Sequence, residues 1–245
     1  MFAASALAVA RAVVDPLLTV VFPSSCVVCR EGLSSPSGGP LCPRCWSCLP
    51  RHRDAFCACG LPVPPGVPLP CGRCRRGLSP FEAGASLGPY EGGLRTVIHE
   101  LKYRGRRRLA DRLADGMLGS PAVRRLLADG VVLAPVPLHP RRLRERGFNQ
   151  SDLIAGALAT RAHLALAPAL VRRKDTASQS GLSAAERRRN VAGAFVVRRR
   201  AAVAGRVVVL VDDVLTTGAT ARACASALRE AGASAVRLLT VARVA

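Results

Sequence analysis

RVVVLVDDVLTTGAT, residues 206–220, runs five apolar and mostly β-branched residues straight into two acids, Asp212 and Asp213. A continuous apolar run of this kind reads as a strand over 207–211 buried on both faces, as in the middle of a parallel sheet. Thr216, Thr217, Gly218, Ala219 and Thr220 follow, supplying small residues, hydroxyls and a glycine where a backbone can wrap an anion at a helix N-terminus. Ala221, Cys224, Ala225 and Leu228 then recur at helical spacing, and Gly232 stands where a C-terminal cap belongs. Cys224 falls on the apolar face of that helix and reads as core. The local order is strand, acidic pair, phosphate cradle, helix. Two adjacent carboxylates at the end of a buried strand repel one another and need hydroxyls, a metal or cations as partners.

An acidic pair before a helix is by itself an ordinary turn. With the apolar run before it and TTGAT after it, the stretch resembles the phosphoribosyl pyrophosphate (PRPP) signature of the type I phosphoribosyltransferases. That resemblance implies that Asp212 and Asp213 hold the ribose 2′- and 3′-hydroxyls while the loop grips the 5′-phosphate. It is not a Walker loop, because no GxxxxGK[ST] occurs in the chain.

The 245 residues suffice for one good-sized domain and a small one, and 49% are hydrophobic, enough for a real core. The net charge is +20, and all but two of the 36 basic residues are arginines, the exceptions being Lys102 and Lys174. Such a balance favours polyanions, whether phosphorylated small molecules or nucleic acid, although arginine richness also follows from codon composition. Aromatic residues are only 4%, which argues against an extended base-stacking platform for single strands.

Residues 1–22 are apolar, but they lack a basic n-region, and Arg11, Asp15 and Pro16 interrupt them short of the roughly 20 residues a membrane span needs. They read as an Ala-rich helix packing on the body of a cytoplasmic protein without a membrane span. In reducing cytosol, clustered cysteine pairs mean metal more often than disulfide. Nine of the ten cysteines fall between positions 26 and 74, within a Pro-, Gly- and Ser-rich module over 23–80. Cys26-x-x-Cys29 and Cys42-x-x-Cys45, with twelve residues between them, have the spacing of two knuckles on one tetrahedral zinc. A second set is Cys57-x-Cys59 and Cys71-x-x-Cys74, whose first pair is one residue short of the usual knuckle. Cys48 makes Cys45-x-x-Cys48 an alternative pair. All-thiolate ligation leaves no open coordination position, so these zinc ions are expected to be structural, one or two in number.

From 81 to 245 the texture changes to alternating strands and helices. Strands are expected over 83–87, 131–136, 170–171, 194–197, 207–211 and 236–241. A helix is marked by Leu94, Val97, Ile98 and Leu101, another runs over 109–127, and a loop over 141–150 leads into a helix from about Ser151. The pattern is α/β, a mostly parallel sheet with helices on both faces, and ligands in such sheets bind beyond the carboxyl ends of the strands.

LKYRG at 101–105, PVPLHPRR at 135–142, RGFNQS at 146–151, the TxxQxxL…RxxN…AF series from Thr176 to Phe195, and VDDVLTTGAT together resemble the ComF family. The likeness covers nearly the whole chain from residue 17. It implies a zinc ribbon joined to a type I phosphoribosyltransferase fold, PRPP with Mg²⁺ as the donor, and a link to natural transformation that makes single-stranded DNA a possible partner. Lys102 belongs to the LKYRG motif, and with Arg104, or with the 135–146 loop and its Arg146, it is the candidate cation for pyrophosphate. In RGFNQS, Asn149 or Ser151 is either a ligand group or a helix cap, and Phe148 either lines the site or is core. The polar segment 172–190 is by composition either a mobile surface loop or a lid, and the resemblance implies a lid with Lys174, Gln179 and Arg187 as its anion-facing residues. Mg²⁺ would be held mainly by substrate oxygens, given the shortage of other clustered carboxylates. The acceptor is not named by any array of side chains.

Overall fold

The computed structural model describes residues 25–33, 39–53, 55–128, 130–174 and 193–244. The helix expected over 1–22, and Gln179 and Arg187, lie outside them.

The cysteine-rich part repeats one small unit. In the first unit Ser25 and Gly32 form an antiparallel bridge around Cys26 and Cys29, and helix α1 (Pro43–Ser47) starts from Cys42. In the second, strands β1 (Ala55–Phe56) and β2 (Pro62–Val63) pair antiparallel around Cys57 and Cys59, and helix α2 (Gly72–Arg75) starts from Cys71. The Cys26 N–H donates to Glu31 O and the Cys57 N–H to Leu61 O, both at 2.9 Å. The second turn is thus one residue shorter, which is the physical origin of the CxC spacing. In both turns the residue after the second cysteine takes a positive φ, 67° at Arg30 and 74° at Gly60.

The remainder is a sheet with helices on both faces. Strands β3 (Gly84–Pro89), β4 (Val132–Pro135), β5 (Ala165–Leu166), β8 (Val207–Leu215) and β9 (Ala235–Arg243) form one sheet in the order β3-β9-β8-β4-β5. Every neighbouring pair is parallel. Strands β6 (Leu170–Arg172) and β7 (Phe195–Val197) stand apart as an antiparallel pair, bracketing the polar segment between them. Helices α3 (Gly92–Tyr103), α4 (Leu109–Gly119), α5 (Pro121–Leu126), α6 (Pro140–Arg146), α7 (Gln150–Ala162) and α8 (Ala219–Glu230) complete the fold.

Alternation along β8 feeds two cores. Val209 and Val211 pack with Leu94, Ile98, Leu113 and Ile154 from α3, α4 and α7. Val208 and Leu210 pack with Ala221, Cys224 and Leu228 of α8 and with Leu170 and Phe195 of the β6–β7 pair. Val208, Val209, Leu210 and Val211 are all fully buried, and each such side chain contributes about 1.5–3 kcal/mol over leaving it in water.

Four sequence expectations are corrected. Strand β8 does not stop at Val211; it continues through both acids to Leu215, because Asp212, Val214 and Leu215 pair with Thr240, Ala242 and Arg243 of β9. The helix expected over 109–127 breaks at Ser120-Pro121, since Pro121 opens α5 and cannot donate back into α4. The segment over 140–146, expected as loop, is helix α6: His139 Nδ1 accepts from the Arg141 N–H at 3.3 Å, proline opens the first turn, and Gly147 closes it at φ 75°. Strand β5, two exposed residues, was not expected at all.

The ribbon is seated on the sheet and on α4. Val27, Leu33, Leu41 and Leu49 join the same buried cluster as α3 and α4. Trp46 lies against Gly116 of α4, where a Cβ would stand 2.8 Å from its Cη2, and Arg51 and Arg112 cover its ring at 4.7 and 4.9 Å. A Cβ on Gly88 of β3 would run into the carbonyl oxygen of Pro50. Among the described residues no helix is long and apolar enough to cross a membrane.

Candidate functional site

The acidic pair sits in β8 just past its last pairing with β4 and still alongside β9, and each carboxylate has its own partner. By alternation Asp213 falls on the face of Val209 and Val211, and there α3 delivers Lys102, with Nζ 2.7 Å from Asp213 Oδ2. Asp213 Oδ1 accepts the Val214 N–H at 2.7 Å. Asp212 Oδ1 accepts the Ser151 hydroxyl at 3.0 Å and the Asp213 N–H at 2.9 Å. Burial, and next the Asp213 charge, push the Asp212 carboxyl up to about 7, against the pull of Lys102, the Asp213 N–H and Ser151. Burial alone would lower Lys102, but the Asp213 carboxylate outweighs it and holds the ammonium above its ordinary value. Cys224 is fully buried core, its thiol pushed well up by burial and then by the Asp212 charge.

Ser151 is placed by its neighbour. The Asn149 side chain caps α7 by accepting the Ser151 N–H at 3.2 Å, while its Nδ2 donates to Val136 O at 2.9 Å beyond the end of β4. Asn149 is therefore the cap that fixes α7 to the sheet end, and Ser151 is the group that meets the acid. Phe148 is both, buried in the core and lining the cavity beside Lys102, with Arg107 over its ring at 4.8 Å.

Beyond Lys102 opens a cavity of about 450 Å³, lined also by Tyr103, Gly105, Arg142, Glu145, Arg146 and Phe148, so that three cations face one carboxylate. Arg146 Nη1 donates to Gln150 Oε1 at 2.6 Å and its guanidinium stacks on Tyr103 at 5.1 Å. Lys102 thus touches the acidic pair and a cationic cavity at once. Arg104 is exposed at the end of α3 and lines neither this cavity nor the next, and Lys174 is exposed beyond β6, its Nζ close to Gly193.

After β8 the chain turns at Thr216 and Thr217, and Gly218 takes φ 71° as the residue preceding α8. A side chain there would be strained, and a Cβ would lie 3.1 Å from Arg222 Nη1. The Ala219 N–H faces Thr217 Oγ1 at 3.4 Å, Ala219 is buried, and Thr220 sits half-buried in the first turn. Thr216, Thr217 and Gly218 line a second cavity of about 410 Å³. Its other wall is the second cysteine unit, with Arg73 and Arg76, and Arg222 and Arg243 come from the body. None of these four arginines stands out in the sequence, because elements far apart in the chain bring them together.

The cysteines form two clusters, Cys26, Cys29, Cys42, Cys45 and Cys57, Cys59, Cys71, Cys74, with the sulfurs of each within 4.8 Å of one another. Tetrahedral Zn–S bonds of about 2.3 Å require sulfurs about 3.8 Å apart. Cys29–Cys42 and Cys59–Cys71 stand at 3.9 and 3.7 Å. Against the upward push of burial, backbone N–H groups bring Cys26 down to about 6, while burial and neighbouring sulfurs push Cys45 up to about 12. In the second cluster the Cys74 N–H leads in bringing Cys71 down to about 6, and burial pushes Cys74 up to about 12. The sulfur separations, rather than these shifts, are what fit a shared dication. Cys48 belongs to neither cluster.

Comparison with known proteins agrees with this division. Residues 17–75 match the double zinc ribbon domain and residues 150–245 the phosphoribosyl transferase domain. The chain is 37% identical over 235 residues to DNA utilization protein YhgH of Salmonella typhi, spanning 93% of this chain and 99% of that protein. It is 31% identical over 179 residues to competence protein F of Haemophilus influenzae, 71% of this chain and 78% of that one. The chain belongs to the ComF family. A shorter match, 35% over 104 residues, joins this ComF protein to competence protein ComFC of Bacillus subtilis, over 42% of this chain and 40% of that one. The parallel sheet, the acidic pair and the turn before α8 of this ComF chain are therefore those of a phosphoribosyltransferase-type domain, and its clustered cysteines fit structural zinc.

Proposed function

We propose that this ComF protein binds PRPP and transfers its ribose 5-phosphate to an acceptor with release of pyrophosphate. The observation that carries the reading is the acidic pair held between Ser151 and Lys102, directly ahead of a positive-φ glycine and the N-terminus of α8. The acceptor nucleophile forms a bond to ribose C1 as the C1–O bond to pyrophosphate breaks. The electron pair leaves with pyrophosphate and the acceptor's proton passes to solvent. Asp212 and Asp213 accept the ribose 2′- and 3′-hydroxyls, and the 216–220 turn takes the 5′-phosphate. Lys102, with Arg142 and Arg146 in its cavity, faces the charge that develops on the leaving group, so no general acid is required.

Both carboxylates already have partners, and among the described residues only the two cysteine sets cluster as metal ligands. That arrangement fits Mg²⁺ arriving on PRPP oxygens, with Asp212 and Asp213 kept for the ribose; when bound it would neutralise charge on the pyrophosphate. The test is pyrophosphate release from PRPP with Mg²⁺ across a panel of bases, amines and DNA. Release abolished by Asp212→Ala and by Asp213→Ala supports transfer. PRPP bound without release under every condition points to a sensor that has kept the pocket.

A second reading, single-stranded DNA handling, is favoured by the names of the YhgH and competence relatives and by a +20 charge with Arg104, Arg106, Arg107 and Arg108 all exposed. It predicts affinity that falls with salt at a slope of about 0.7 per phosphate contact. Affinity indifferent to salt sinks it.

A further inference from the structure

The two cysteine units are attached to the body in different ways. Cys26, Val27, Leu33, Leu41 and Leu49 of the first are part of the buried cluster shared with α3 and α4. In the second unit Cys57 and Val63 are buried, but they belong to neither core cluster, and Phe56 packs against one only in part. Its attachment is made instead by backbone and by one cation. A Cβ on Gly84 of β3 would stand 2.6 Å from the Gly60 nitrogen and 3.0 Å from the Ala58 carbonyl oxygen. From the end of β9, Arg243 Nη1 donates to Cys59 O at 3.1 Å.

Both contacts fall on the CxC turn, the one that is a residue short. In the longer turn the Arg30 N–H closes on Cys26 O at 2.9 Å, whereas in the shorter one the Gly60 N–H closes on Cys57 O at 2.7 Å. The carbonyl of Cys59, between those two residues, is the one that Arg243 holds. A donor fixed on the backbone of a ligating residue orients that ligand, as outer-shell hydrogen bonds do at metal sites generally. Among the described residues this is the one hydrogen bond of the Arg243 side chain, and its buried Nε has no acceptor. A cation held that way is costly unless opposite charge faces it. Cys59 and Cys71 share a cavity wall with Arg243, and a zinc dication on four thiolates carries a net charge of −2.

We infer that Arg243 is an outer-shell positioning residue of the second zinc site, bracing the short Cys57-x-Cys59 turn from the end of β9. Its guanidinium fixes the Cys59 backbone and offsets the thiolate charge. The second zinc is then held tightly only while its unit is docked on β3 and β9, whereas the first site draws no such cation from the body. This inference rests on the structural zinc reading and is independent of PRPP.

The test uses the full-length protein loaded with zinc, and follows metal transfer to a chromophoric chelator. Arg243→Met should weaken one of the two zinc ions about 10- to 100-fold and leave the other unchanged. In a Cys74→Ala background, where the first site alone remains complete, Arg243→Met should change nothing. Arg243→Lys, which keeps the charge without the fork, should recover part of the loss. Gly84→Ala, which crowds the same turn from β3, should loosen the same ion, and it decides the matter where Arg243→Met fails to fold. With cobalt in place of zinc, Arg243→Met should shift the thiolate charge-transfer bands of one site only. Both ions held within twofold of the parent would overturn the assignment. Equal loosening of both, or loosening in the Cys74→Ala background, overturns it as well, because the arginine would then support the fold at large. A parent chain that binds a single zinc overturns the two-site reading along with it.

Discussion

Ser151 and Asp212 lie 61 positions apart in the chain and meet at 3.0 Å, serine hydroxyl to carboxylate oxygen. The contact favours the ionised acid in a place where burial opposes it, so Ser151 joins Lys102 and the Asp213 N–H in lowering the pH at which Asp212 loses its proton.

Removing that hydroxyl should therefore move a pH profile rather than abolish binding. Ser151→Ala takes away one group that lowers Asp212, so its carboxyl, already at about 7, titrates higher still. At pH 7 PRPP affinity should fall by about 3- to 10-fold, the value of one hydrogen bond to a charged group at partial occupancy. By pH 9 the gap should narrow. Calorimetry from pH 6 to 9 measures this, and a uniform loss at all pH values would refute the titration account.

The same burial has a stability consequence of the opposite sign to an ordinary salt-bridged acid. A carboxyl raised from 3.8 to about 7 binds its proton more tightly folded than unfolded, so it opposes folding progressively as pH rises from about 4 through 7. Asp212→Asn should equal the parent in stability below pH 4 and exceed it at pH 8, by at most about 4 kcal/mol at 1.36 kcal/mol per pKa unit. Urea titrations at the two pH values decide it.

Lys102 and Asp213 are both substantially buried, with side-chain exposures of 17% and 6%. Lys102→Met strands the carboxylate and should destabilise the fold by about 3 kcal/mol. The double variant Lys102→Met/Asp213→Asn should recover most of that stability while pyrophosphate release stays lost. Recovery of release as well would show that the pair is structural only.

Two zinc ions per chain are expected. Cys74→Ala should reduce metal content to one, and Cys48→Ala should leave it at two, since Cys48 belongs to neither cluster. Chelation should unfold the ribbon, visible in circular dichroism and in the emission of Trp46, the one tryptophan of the chain.

Trp46 also reports how the ribbon is seated. Gly88→Ala drives a methyl group into the Pro50 carbonyl and should cost about 1–3 kcal/mol with a red-shifted Trp46 emission, whereas Gly119→Ala, with nothing within 4 Å, should be neutral or slightly stabilising.

What the sequence revealed follows from how local each signal is. The apolar run ahead of Asp212, the spacing of Leu94, Val97, Ile98 and Leu101, and the cysteine pairs are patterns within a dozen residues, and each corresponds to an observed element. Helix α6 was hidden because arginines leave it no apolar period, even though Pro140 and Gly147 supplied start and stop signals. Continuation of β8 through two acids depends on pairing with β9, which no local pattern encodes. The partners of the acids, Lys102 and Ser151, were marked by motif, but which acid each meets depends on the alternation of β8 and the capping of α7 by Asn149.

Strand β3 has a single neighbour in the sheet, and that neighbour is β9. The surface on which the ribbon is seated is therefore unfinished until residues 235–243 have been synthesised and have inserted between β3 and β8. A ribbon that captures its metal early must wait, folded, for a sheet that closes late. This is a high-contact-order route, and it makes partly assembled chains with a bare β3 edge the species most exposed to aggregation.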